Sequence, residues 1–119
     1  MQLTYPIKLN ISQKLKNKEY FHKFFFLRTK AEIAEQIRGL REKRDLKQAD
    51  LAKLADMKQS AISRIEQSEY AGWNFKTLLR IAEALDARMQ VIFTPAEEII
   101  KEYEGNEQEL WGSSGKEVF

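Results

Sequence analysis

The chain has 119 residues, enough for one compact domain, and 43% of them are apolar, which excludes wholesale disorder. It holds no cysteine, which excludes disulfides, thiolate metal sites and thiol nucleophiles. The net charge is only +2, but residues 1–94 carry +7 and residues 95–119 carry −5, as in a basic module able to approach phosphate with an acidic end kept elsewhere.

The longest apolar run, Phe24-Phe25-Phe26-Leu27, is far short of a bilayer span, and the first residues lack the order of a secretory signal. The expectation is a cytoplasmic protein with no membrane partner. Taken in chain order, Leu3, Tyr5, Ile7, Leu9 and Ile11 alternate with more polar residues, so residues 2–10 read as a strand. Pro6 favours an edge position for it. Residues 18–27 read as an aromatic helix through Tyr20, Phe21, Phe24 and Phe25. His22, the sole histidine, has no second metal ligand in view.

A helix from Ala31 to Arg44 follows, with Thr29 as a candidate N-cap and Ile33, Ile37 and Leu40 as one apolar stripe. The next helices are expected over Gln48 to Ala55 and from about Lys58 to Gln67. Asn74 can cap a fourth, with Phe75, Leu78, Leu79, Ile81, Ala82 and Leu85 as its buried side. The period then returns to two, and residues 88–93 read as a second strand. Thr94-Pro95-Ala96-Glu97 forms a capping-box signal for a short helix over 95–104. Beyond Gly105 a polar, frayed tail is expected.

The stretch Gln48 to Glu66 carries the functional signal. Leu51, Ala55, Met57, Ile62 and Ile65 can converge between two short helices, with Ala52 as the small residue where backbones approach. The joint Ala55-Asp56-Met57 needs one residue at positive φ, and Asp56 is an acceptable occupant. Lys58, Gln59, Ser60, Ser63 and Arg64 are then left on the outer face of the third helix. They are polar and neutral or cationic, with no carboxylate among them. That suits a major groove, where Gln can pair with adenine and Arg with guanine.

At these residues the sequence resembles the phage-repressor-like (Xre/Cro) helix-turn-helix family. The resemblance covers about residues 30–86. It rests on Gln48-Ala49-Asp50-Leu51-Ala52, on Met57 through Glu66, and on Leu78 through Leu85. It departs from the family at Lys47 and Lys58, where a Ser or Thr cap is common, and at Asp56, where Gly is common.

The resemblance implies a mainly α fold: a compact, lambda-repressor-like helical bundle, here with one or two short strands outside it. With the elements read on either side of that bundle, the chain divides into an N-terminal strand and aromatic helix (1–29), a DNA-binding domain (30–87), a strand and short helix suited to dimerisation (88–104), and a flexible tail (105–119). The resemblance implies a sequence-specific regulator, a repressor, that binds double-stranded operator DNA as a homodimer. Gln59, Ser60 and Arg64 would read bases. Lys47, Gln48, Lys58 and Ser63 would meet phosphates or support the contact, with Gln67, Asn74 and Lys76 as weaker candidates. Arg41 and Glu66 would form an ion pair between helices. With a strand over 88–93 in place of the family's usual last helix, the chain looks like a variant whose members are often small regulators or antitoxins, so a toxin protein is a further partner to test.

Two other classes of function compete with this reading. The bundle could be a protein-interaction module that does not bind DNA, which salt-dependent retention on duplex DNA would distinguish. An enzyme would need more than the carboxylate pairs Glu97 and Glu98 or Glu32 and Glu35. The chain has no candidate His–carboxylate pairing and no Gly-rich phosphate loop, so no catalysis, metal or cofactor is expected.

Overall fold

In the computed structural model every regular element of the described residues is helical. The described residues are 11–68 and 74–118, with side chains as far as Glu107. The helices are α1 (Ile11–Lys14), α2 (Lys18–Lys43), α3 (Gln48–Ala55), α4 (Gln59–Glu66), α5 (Phe75–Ala84) and α6 (Ala96–Val118). The chain separates into two compact units, Phe25–Val91 and the described part of Met1–Phe24 with Ile92–Phe119.

The unit Phe25–Val91 is built around one apolar cluster. Ile37 of α2, Leu51, Ala52 and Ala55 of α3, Ile62 and Ile65 of α4, and Ile81 and Leu85 from α5 and its end are all buried. Ile33, Leu40, Leu46, Met57, Ala84 and Ala87 pack against that cluster. Three helices of this unit stop in the same way, each at an aspartate in the left-handed region. After α2 this is Asp45 at φ 58°, after α3 Asp56 at φ 55°, and after α5 Asp86 at φ 51°. At each stop two backbone N–H groups turn back onto the last carbonyls, the Schellman arrangement. The pairs are Asp45 to Glu42 and Leu46 to Arg41, Asp56 to Lys53 and Met57 to Ala52, and Asp86 to Glu83 and Ala87 to Ala82. The residue after each aspartate is apolar, and Leu46, Met57 and Ala87 all pack on the core. Helix ending and core burial are therefore one event.

In the second unit Leu15 and Phe21 are buried, and so is Ser12. Ser12 donates its backbone N–H and its hydroxyl to the two oxygens of Glu107, at 3.2 and 2.7 Å. This bond fastens α1 to α6. Phe24 stacks on Tyr20 and meets Tyr103 edge-on, with centroids 6.0 and 6.4 Å apart. Lys16 and Glu104 approach to 3.4 Å with both side chains about half exposed, so they add little.

Several sequence expectations need correction. The helices expected over 18–27 and 31–44 are one helix, α2. Thr29 lies inside it and caps nothing. No proline or glycine separates the two halves, and one threonine costs only a few tenths of a kcal/mol, about 0.7 at most. Asn17 sits at the real start, where its side-chain oxygen accepts the Tyr20 N–H at 2.8 Å.

The strand expected over 88–93 is absent. These residues have no regular structure, and Val91, Ile92 and Phe93 are exposed. An alternating pattern makes a strand only when a neighbour completes the ladder, and no strand occurs among the described residues. The other expected strand, 2–10, lies outside the described residues. The helix expected to end at 104 instead continues past Gly105, and Glu107 is held by Ser12 beyond that glycine. The frayed tail is corrected to helix as far as Val118. On α5, Phe75 and Leu79 were expected to be buried but are exposed at 63% and 36%.

Candidate nucleic-acid interface

The α3–turn–α4 segment is held by its joint and by one buried acid. The joint is the Asp56 stop described above, which reverses the chain between Ala55 and Lys58. Lys47 and Lys58 take the N-cap positions of α3 and α4 in extended backbone, and neither side chain caps its helix. An ammonium cannot accept a hydrogen bond. At α3 Asp50 reaches back to accept the Lys47 N–H at 2.9 Å, which satisfies one group only.

The acid is Glu66, the last residue of α4, which is 2% exposed. Its carboxylate accepts from Arg41 Nε and Nη2 at 2.6 and 3.0 Å, a two-pronged pair. Gln48 Nε2 donates to the same carboxylate at 3.1 Å. Arg38 donates to the Glu66 carbonyl at 2.7 Å. Arg41 Nη1 donates to the Leu46 carbonyl at 2.7 Å, so that guanidinium has partners on all sides. The hydrogen bond to Glu66 raises the pKa of Arg41 above its ordinary value, against a smaller opposing effect of burial. The end of α4 is thereby tied to α2 and to the first residue of α3.

Residues 37–92 match a family model described as helix-turn-helix. Over this segment the chain is similar to the helix-turn-helix family, in agreement with the resemblance carried by Gln48 to Glu66. That similarity suggests a DNA-binding regulator. No curated protein and no solved structure gives a significant match.

On the helix-turn-helix domain the residues singled out from sequence fall into two groups. Gln59, Ser60 and Arg64 are exposed on α4, and Ser63 beside them is half-buried. Lys47, Lys58 and Lys76 are exposed at or near the starts of α3, α4 and α5. Gln67 is exposed just past α4 and donates from Nε2 to Ser63 Oγ at 3.2 Å. Gln48 is half-buried and its amide is used by Glu66. Asn74 caps α5 by accepting the Thr77 N–H at 2.9 Å, so its side-chain oxygen is committed to that helix.

Three arginines were missed by the sequence reading. Arg38 holds the last carbonyl of α4. Arg80 donates to the carbonyls of Ala55 and Asp56 at the end of α3. Arg44 donates to those of Leu85 and Asp86 at the end of α5, at 2.9 and 3.1 Å. Each covers the negative end of another helix, where carbonyls lack intrahelical partners. Nothing local marks these arginines, because donor and acceptor lie 24 to 42 residues apart. Among the described residues no buried side-chain polar atom is left unpaired, and no acidic or histidine cluster could hold a metal ion. No described helix is long and apolar enough to cross a membrane.

Proposed function

We propose that the chain is a sequence-specific double-stranded DNA-binding regulator, a repressor, that reads the major groove with α4. The observation that carries this reading is the division of α4 into two faces. Ile62, Ile65 and Glu66 are buried, while Gln59, Ser60 and Arg64 stand exposed with no carboxylate beside them. Gln59 can donate to N7 and accept from N6 of adenine, Arg64 can donate to both O6 and N7 of guanine, and Ser60 can donate or accept. A second feature supports it. Lys58 puts positive charge at the positive end of the α4 dipole, where the first turn holds no acid, an unfavourable arrangement until an anion arrives; at α3 Asp50 already offsets Lys47. A DNA phosphate at the uncapped start of α4 would relieve it and accept backbone N–H groups as well. Lys76, beside the start of α5, is a further phosphate contact.

The test is binding of the full chain to duplex DNA drawn from a random pool. Retention that falls steeply with salt, together with enrichment of a sequence motif, is the expected result. Salt-independent retention or no enrichment would overturn it and leave a protein-interaction module.

The proposed assembly on DNA is a homodimer, because one recognition helix spans only a few base pairs and operators commonly place two half-sites about 34–36 Å apart. The exposed run Val91-Ile92-Phe93 supplies apolar side chains for such a contact. Light scattering on the full chain, with and without a palindromic site, tests this. A monomer under both conditions sinks the dimer. An antitoxin role would use the unit outside the helix-turn-helix domain, and co-purification with a neighbouring gene's product is its test.

A further inference from the structure

We infer that Gln67, which lies just past the last turn of the recognition helix, is a specificity-determining residue that reads an adenine edge, held in its reading pose by Ser63. The inference rests on the proposed reading of DNA by α4. Gln67 follows the helical path: at φ −93° and ψ 2° it stays out of the left-handed region, and its N–H still bonds to the Ser63 and Arg64 carbonyls. At about 100° per residue, the direction opposite Ile62, Ile65 and Glu66 passes between Ser60, Arg64 and Gln67. Gln67 therefore stands on the centre of the outer face, one turn beyond Arg64.

Its position late in the helix would ordinarily carry the side chain away from the bases, since a recognition helix offers its N-terminal residues to them first. The hydrogen bond from Nε2 to Ser63 Oγ answers that difficulty. It lays the amide back along the outer face toward the start of α4, by about one turn, ~6 Å of helix. One amide N–H is used in this way. Among the described residues nothing else engages the side chain, so one N–H donor and the Oε1 acceptor remain side by side. That pair matches adenine, which offers N7 as acceptor and N6 as donor in the major groove. A phosphate offers acceptors only and would leave Oε1 unused. Fixing the amide before binding also removes a cost of ordering a long side chain in the complex.

The experiment selects motifs from a random duplex pool with the full-length wild type and with Gln67→Ala, Gln67→Glu and Ser63→Ala, each checked for an unchanged melting temperature. The expected wild-type motif contains a position preferring A, and Gln67→Ala loses that preference by about tenfold while the other positions keep theirs. Gln67→Glu, a pure acceptor, moves the preference at that position toward C. Ser63→Ala weakens it in part. Gln67→Ala that keeps every base preference, with an even loss of affinity or none, makes Gln67 a phosphate contact or a bystander and overturns the inference while leaving the reading of α4 intact. A wild type that enriches no motif overturns both.

Discussion

Removing a carboxylate from water costs several kcal/mol unless its oxygens are fully engaged, and Glu66 meets that condition with two bonds from Arg41 and one from Gln48. Truncating either member of the pair leaves the other buried and alone. Glu66→Ala or Arg41→Ala is therefore expected to lower stability by about 3–5 kcal/mol in urea denaturation, and replacing both by apolar residues of similar volume should recover much of it. The pH sign follows from Arg41. Its pKa is raised in the folded state, so its contribution is fully present below the ordinary arginine value and is lost only as pH rises through the raised one. Stability from this group should stay level across neutral and mildly alkaline pH. Arg64 is the contrasting case, exposed and outside the core. Arg64→Ala should leave melting unchanged, cost about 1–3 kcal/mol of binding, and relax the preference at one base position in a binding titration. The partnership of Arg41 with Glu66 came from family resemblance, since a separation of 25 residues carries no periodic signal. Gln48 as third partner was hidden for the same reason.

The helices of the helix-turn-helix domain were legible because their signals are local. Asn74 as a cap, the apolar positions of α4 and the positive φ at Asp56 all depend on residues within a turn or two. The strand at 88–93 and the break at Thr29 were misread because each depends on what the rest of the chain does. Alternation without a ladder partner gives no strand, and a weak cap signal inside an unbroken helical stretch gives no boundary. The stops at Asp45 and Asp86 carry the same local mark as Asp56, Asp-Leu and Asp-Ala at the ends of apolar stripes, but were not read from it. Left-handed backbone is still less favourable for aspartate than for glycine. Asp56→Gly keeps the carbonyl that Arg80 holds and should stabilise the domain by a few tenths of a kcal/mol, about 0.5. Gly39, inside α2, has open space where a Cβ would stand. Gly39→Ala should add about 1 kcal/mol, read as a higher melting temperature.

Across the whole molecule, the 20 Lys and Arg residues are unequal in what they can offer to DNA. Arg38, Arg41, Arg44 and Arg80 are occupied by carbonyls and by Glu66. The lysines at the helix starts carry no such commitment. Lys58→Ala should weaken binding to every duplex and flatten the slope of log affinity against log salt by about one. Arg44→Ala should leave that slope unchanged and lower the melting temperature. The arginines that reach from one helix to the end of another have a consequence for motion. Helix ends usually open first and exchange their amide hydrogens fastest. Here the end of α3 is held from α5, the end of α4 from α2, and the end of α5 from the turn after α2. An end that opens must release a donor belonging to another helix, which couples each opening to its neighbours. Amides near Ala55, Glu66 and Leu85 should thus exchange almost as slowly as those at the helix centres, as one cooperative block. Arg44→Lys, which gives up the fork that grips two carbonyls, should detach the end of α5 from that block before the others.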